Sequence, residues 1–375
     1  TVDLTPQSAS ASASVEVTGT GFAANEQVSI KFDGTLLSTV TATSNGTVST
    51  TITIPAAASL GTHYIQSVGQ TSGFSPKTVF YVVKSSSGTI TEFPVPTSGS
   101  LPQGITLGPD GNLWFTEYSG SKIGRITPSG IITEYPTPTA NSSLTSITSG
   151  PDGNLWFTEY YPGKIGRITP TGTITEYSLP TNSLVESITS GPDGNLWFTE
   201  SAHIGKITPV GTITEYPAGG EPWGITSGPD GNLWFTEYYG SSIGRITPTG
   251  TITQYYTPTS NSYPFGITSG PDGNLWFTES YTPSQIGRIT PTGTITEYPL
   301  PGYKSEPFGI TTGPDGNLWF AESFANQIGR ITPTGIITEY PTPTASSSPQ
   351  YITSGPDGNL WFTEYGGNKI GKITP

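Results

Sequence analysis

The chain has 375 residues and a formal net charge of −13, with 27 acidic against 14 basic side chains and only 11% charged residues in all. It holds no cysteine and only two histidines, His63 and His203, which excludes a disulfide framework, a thiolate zinc site and a cysteine nucleophile, and speaks against a multi-histidine metal centre. The acidity argues against nucleic acid as a partner, and no apolar run approaches the ~20 residues of a membrane span. No signal segment precedes Thr1 and methionine is absent, the expectation for a mature or trimmed form; with the Thr, Ser, Gly and Pro bias this points to a secreted or cell-surface protein.

Residues 1–84 alternate apolar and polar residues in short runs, Ser14–Thr18, Val28–Phe32, Leu37–Thr41, Val48–Ile54, Tyr64–Val68 and Val79–Val83. Turn signals such as Asp33-Gly34 and Asn45-Gly46 separate them, which predicts six or seven strands in a β-sandwich. Ser8–Ser14 reads either as a first strand or as a mobile arm. The segments Thr18–Phe22 and Val28–Gly34 resemble bacterial immunoglobulin-like domains of surface proteins, a resemblance that implies a spacer or adhesive unit. Residues 85–87 read as a linker.

From residue 88 onward the chain is repetitive. Gly-Pro-Asp-Gly-Asn-Leu-Trp-Phe recurs seven times, beginning at Gly108, Gly150, Gly191, Gly228, Gly270, Gly313 and Gly355, at spacings of 42, 41, 37, 42, 43 and 42. Each unit predicts four strands: a Gly-Ile-Thr run, a Pro-Asp-Gly-Asn turn, a strand Leu-Trp-Phe-Thr-Glu apolar on both faces, then Ile-Gly-Arg-Ile-Thr, and an outer Ile-Thr-Glu-Tyr strand. Four strands in about 42 residues is the signature of a propeller blade, and seven units predict seven blades. The last unit lacks its outer strand and an orphan outer strand, Gly88–Pro94, precedes the first, so this segment is expected to complete the C-terminal blade and close the ring. The predicted fold is therefore all-β, an immunoglobulin-like sandwich (1–84) followed by a seven-bladed propeller (88–375).

The pattern Gly-Ile-Thr-x-Gly-Pro-Asp-Gly-Asn-Leu-Trp-Phe-Thr-Glu followed by Ile-Gly-Arg-Ile-Thr resembles the streptogramin B (virginiamycin B) lyase family. The resemblance implies a seven-bladed propeller that opens a cyclic depsipeptide at its ester linkage, with magnesium and a histidine of a Pro-His-Gly-Ile motif at the channel mouth and the glutamate of Trp-Phe-Thr-Glu beside them. The glutamates match in every unit: Glu117, Glu159, Glu200, Glu237, Glu279, Glu322 and Glu364. The histidine position, 14 residues earlier, holds Gln103, Thr145, Glu186, Trp223, Phe265, Phe308 and Gln350.

Two candidate sites follow. The seven glutamates are expected as a carboxylate ring near the channel mouth, either paired with the basic residue of the same unit (Glu117 with Arg125) or holding a cation. Trp223, Phe265 and Phe308, beside Gln103, Gln350 and Glu186, form a candidate ligand face for a sugar or an apolar molecule, extended by Tyr118, Tyr160, Tyr238 and Tyr365. Pro-Asp-Gly-Asn has the composition of a calcium loop but lacks its spaced ligands and reads as a hairpin turn. Asn45-Gly-Thr and Asn141-Ser-Ser are glycosylation sequons. The acidity sits in the propeller, with −12 over residues 88–375 against −1 over residues 1–87. Together these features predict a non-catalytic extracellular scaffold without a cofactor, self-associating as a surface or fibre subunit or binding an extracellular partner. The alternatives are a magnesium-dependent lyase and a glycan-binding surface protein.

Overall fold

A computed structural model describes residues 1–5, 8–10, 14–55, 58–59, 61–83, 88–302 and 304–375. The chain divides into two compact units, Thr1–Thr89 with Thr374–Pro375, and Ile90–Ile373. The linker expected at 85–87 lies outside the described residues. Among the described residues no helix is long and apolar enough to cross a membrane.

The first unit contains β1 (Val2–Thr5), β2 (Ser8–Ser10), β3 (Ser14–Thr20), β4 (Gln27–Phe32), β5 (Thr35–Thr41), β6 (Thr47–Thr53), β7 (Gly61–Gly69) and β8 (Lys77–Val83). They form a three-stranded sheet, β1-β3-β6, and a five-stranded sheet, β2-β8-β7-β4-β5. The inward residues of both sheets, among them Leu4, Val15, Val17, Ile30, Ile52, Ile65 and Phe80, share one buried core. The period-2 alternation predicts β3 to β8. It misses β1, a four-residue edge strand. In Ser8–Ser14, residues 8–10 are a strand pairing parallel to β8, a contact that Ser and Ala do not announce; residues 11–13 lie outside the described residues. Asp33 and Gly34 both take positive φ (46° and 86°), as a tight β4–β5 hairpin requires. Buried Glu26 ties the 71–72 turn to this sheet, accepting from the amides of Ala23, Thr71 and Ser72 and the Ser72 hydroxyl, and these donors hold its carboxyl down to about 2.

The second unit consists of seven four-stranded antiparallel sheets. The fifth, for example, runs Pro264–Ser269, Leu275–Glu279, Gln285–Ile289, Ile295–Pro299. Every residue of each second strand is buried. One face carries Leu and Phe, the other Trp, and the Trp of one blade packs with the Leu and Phe of the next, Trp156 with Leu196 and Phe198. The third strand supplies a glycine under each Phe ring: a Cβ on Gly124 would lie 2.0 Å from Phe115, so only glycine lets the strands close over it. The Pro-Asp-Gly-Asn turn is a capping device. Asp110 accepts from the Trp114 indole N–H at 3.0 Å and from Asn112, and Gly111 takes φ 75°. The same indole–aspartate bond occurs in all seven blades.

The inner strands are riveted to one another. Ser149, Ser190, Ser227, Ser269, Thr312 and Ser354 each donate a hydroxyl to the carbonyl of the matching residue one blade earlier, at 2.5–2.8 Å. The first blade has Leu107 at this position, which accepts from Ser149 but has no hydroxyl to give. The outer strand of the seventh sheet is Ile90–Pro94, which pairs antiparallel with Lys369–Ile373, Pro94 opposite Lys369. Trp361 of that sheet packs with Leu113 and Phe115 of the first blade.

Candidate functional site

The site is built on a repeated backbone irregularity. In each innermost strand the register slips, so that two residues oppose one on the second strand; Pro222 faces Glu237 but Ile225 faces Phe235, leaving Trp223 and Gly224 against Thr236. A bulge of this kind turns a side chain out of the sheet's alternation. The second-strand threonine fills it. Thr236 accepts from the Gly224 amide at 2.8 Å and donates to the Phe265 carbonyl of the next blade at 2.7 Å. Thr116, Thr199, Thr278 and Thr363 hold the carbonyls of Thr145, Trp223, Phe308 and Gln103 in the same way, at 2.6–2.9 Å. In the sixth blade the threonine is Ala321, so Gln350 lacks this tether.

The seven variable residues thus share one structural position, at the bulge of each inner strand. Trp223, Phe265 and Phe308 form a continuous aromatic arc, with ring centroids 5.3 and 4.4 Å apart. Two residues not singled out from sequence join it. Tyr351, two blades on, lies 6.3 Å from Phe265, and Tyr263 lies tilted 5.0 Å from Tyr238, which itself lies 5.2 Å from Trp223. The signal for Tyr351 is present in the repeat: the six matching positions are Gly or Ser (Gly104, Ser146, Ser187, Gly224, Gly266, Gly309). Tyr118 and Tyr365 face each other at 6.3 Å. Beneath the arc is a cavity of about 120 Å³ lined by Phe265, Tyr351, Ser146, Ser187 and inner-strand glycines. Glu186 is half-buried; desolvation, with Glu221 beside it, pushes its carboxyl up to about 8. Gln103 and Gln350 each have a buried side-chain carbonyl with no hydrogen-bond partner. Thr145 turns inward, its hydroxyl bonded to Thr158 and to the Glu186 carbonyl.

The carboxylate ring expected at the mouth is placed elsewhere. Glu117, Glu159, Glu200, Glu237, Glu279, Glu322 and Glu364 end the second strands and are sealed from solvent inside their blades. They do not pair with the Arg or Lys of the third strand. Register places Arg125 opposite Trp114, where it sits over the indole and 3.9 Å from Asp110. All seven blades repeat this pairing at 3.8–4.0 Å. Glu117 instead has Glu134 of the outer strand within hydrogen-bonding reach, and burial with this second acid pushes it up to about 8. Glu159 with Glu176, Glu279 with Glu297 and Glu364 with Glu92 repeat the arrangement, each buried member again at about 8. Glu200 and Glu322 are pushed to about 7. Three of the outer-strand partners, Glu134, Glu176 and Glu92, are held below the usual carboxylate range by a Lys and a Thr: Glu134 takes Lys122 at 2.8 Å and the amide and hydroxyl of Thr97. Burial and the neighbouring acid thus both favour the protonated form of the inner carboxyl. The fourth blade differs. Gln254 stands in the outer strand and donates to Glu237 at 2.7 Å, and the Ser242 hydroxyl donates as well.

Residues 83–219 and 182–375 match the model of the virginiamycin B lyase family. The chain belongs to the virginiamycin B lyase family. A solved streptogramin B lyase is 43% identical, with a TM-score of 0.73 over 76% of this chain and 97% of that one. Virginiamycin B lyase from Staphylococcus aureus gives the same identity and score, over 76% and 99%. A catalytically inactive histidine-to-alanine form of that enzyme, solved with Quinupristin, is 42% identical with a TM-score of 0.73, over the same 76% and 99%. Residues 1–82 match the model of a macroglobulin-like domain, in keeping with the small β-sheet domain expected there.

The magnesium implied by the lyase family does not fit the residues present. No bulge position carries histidine, the second-strand glutamates are sealed inside their blades, and among the described residues no three His, Cys, Asp or Glu converge as a metal site. His203 begins a third strand, opposite Glu200 in register, and is not at a bulge. His63 belongs to the first unit, bonded to Asp33 and the Ser59 carbonyl.

Proposed function

We propose that the chain is a non-catalytic binding scaffold that works outside the cell, the propeller taking a ligand at the aromatic mouth and the macroglobulin-like unit serving as spacer. The observation carrying this reading is the arc Trp223–Phe265–Phe308 on the bulge positions, where the lyase resemblance calls for histidine. A large aromatic surface held on a rigid inner strand suits recognition, and no bulge position carries the histidine that the lyase resemblance calls for. The S. aureus enzyme is catalytically inactive once a single histidine is replaced by alanine, which supports the same view. The strand Ile90–Pro94 is part of this reading: paired with Lys369–Ile373 it closes the ring, and the same pairing made between copies would give a self-associating surface subunit.

The test is turnover of Quinupristin with magnesium, followed by mass spectrometry. The expected result is no ring-opened product. Product formation that is lost in Glu322→Gln would overturn the reading in favour of a lyase. A glycan as the natural ligand is tested on the same protein with a glycan array, where Trp223→Ala should abolish any signal.

A further inference from the structure

The chain neutralises its aromatic and acidic groups with its own cations almost everywhere except at the mouth. In each blade a Trp receives an Arg or Lys over its face, Arg125 over Trp114 at 5.7 Å and Lys372 over Trp361 at 5.0 Å. Lys122, Lys164 and Lys369 are bound to outer-strand glutamates, and Lys304 pairs with Glu306. Among the described residues no basic side chain pairs with Glu186 or Glu221, or lies over Trp223, Tyr238 or Tyr351. No bulge position is Lys, Arg or His. What these positions present is electron-rich throughout: the linked rings of Trp223, Phe265 and Tyr351, the Glu186 carboxyl that acts on Tyr351, and, on the matching bulges of the first and seventh blades, the partnerless side-chain carbonyls of Gln103 and Gln350. Anions find no donor set. A hard metal ion finds too few oxygens, since Glu186 and Glu221 lack a third acid.

We propose that the mouth binds a small organic cation of the alkylated ammonium class, its charged head between Glu186 and the faces of Trp223 and Tyr351 and its hydroxyl or amide donors on Gln103 and Gln350. This rests on the mouth being the ligand site and names the chemistry it selects. An ammonium head prefers aromatic faces with a carboxylate behind them, because it is weakly hydrated and is attracted to the ring quadrupole. The acidic propeller, −12 over residues 88–375, favours its approach. Glu186 must be ionised to serve it. The groups facing Glu186 are Glu221, Tyr160 and Tyr351, all acidic or neutral, so binding releases a proton and strengthens as the pH rises toward the carboxyl's value.

The probes are choline and its uncharged carbon isostere 3,3-dimethylbutan-1-ol, titrated calorimetrically into the full chain. Choline is expected to bind saturably and about tenfold or more tightly than the alcohol, with Glu186→Gln and Trp223→Ala each weakening it about tenfold. Choline affinity is expected to rise from about pH 6 to about pH 9 in the native chain and to stay flat in Glu186→Gln. Melting temperatures of the variants establish that they fold. Equal binding of the two probes, both weakened by Trp223→Ala, overturns the cation class while leaving the mouth as a ligand site. Choline binding indifferent to both substitutions overturns the mouth as well. No binding of choline overturns the cation assignment alone.

Discussion

Each buried second-strand glutamate with a raised carboxyl should cost the propeller stability as the pH rises past neutrality, and Glu117→Gln tests this directly. A folded-state carboxyl at about 8 keeps its proton where the unfolded chain, near 4.5, has lost it. The folded state then binds more protons than the unfolded state between those values. Stability is full below pH 4.5, falls as the pH rises through the window, and is flat above about 8. At about 1.4 kcal/mol per pH unit the upper bound is about 5 kcal/mol for one such group, and relaxation around a blade end reduces this to about 1–2 kcal/mol. Gln at position 117 supplies the donor that Glu134 needs without a titrating proton, as Gln254 does for Glu237 in the fourth blade. Thermal melts at about pH 5 and about pH 9 should therefore show the native chain less stable at the higher pH, and Glu117→Gln near-neutral at the lower pH but stabilising by about 1–2 kcal/mol at the higher. A native chain equally stable at both, or a variant destabilised equally at both, would refute the raised carboxyl at position 117.

Gly124→Ala should be among the most damaging single changes, because its Cβ would meet the Phe115 ring at 2.0 Å; soluble yield and melting temperature report a loss of about 3 kcal/mol or more. Asp110→Ala strands the Trp114 indole N–H and removes the Arg125 partner, which should cost about 1–3 kcal/mol in a denaturant titration without altering the mouth. Deletion of residues 1–94 removes the outer strand of the seventh blade and bares the edge of Lys369–Ile373, so the product should self-associate in light scattering, whereas deletion of 1–87 should remain monodisperse.

Most of the fold is legible in the sequence because each blade states its own structure. The Leu-Trp-Phe-Thr-Glu strand is apolar on both faces only if neighbours press on both, and the spacing of the turns counts the blades. The site is half legible. Trp223, Phe265 and Phe308 are found because they vary inside an otherwise constant repeat. The glutamates mislead for the opposite reason: constancy suggested a shared site, but it records a shared internal packing in which Glu117 faces Glu134. Strand periodicity alone places Glu117 and Lys122 on one face and Arg125 on the other, and only the observed register shows that Arg125 opposes Trp114 and turns to Asp110. The bulge that aims Trp223 into the channel has no sequence mark of its own, since its tether is an ordinary threonine, Thr236, two residues after Trp234.

The hydroxyl rivets between inner strands carry a direction. Each passes from a blade to the one before it, and the series starts at Leu107, which only receives. Seven nearly identical blades are thereby given a first and a last, and the join between the seventh and the first is the one without a rivet on its inner strand. That join is held instead by the Thr363 hydroxyl on the Gln103 carbonyl and by Asn368, whose side-chain oxygen accepts from the amide and hydroxyl of Ser100. Within the seventh sheet, strands 90–94 and 369–373, far apart in the chain, fasten together like the halves of a clasp.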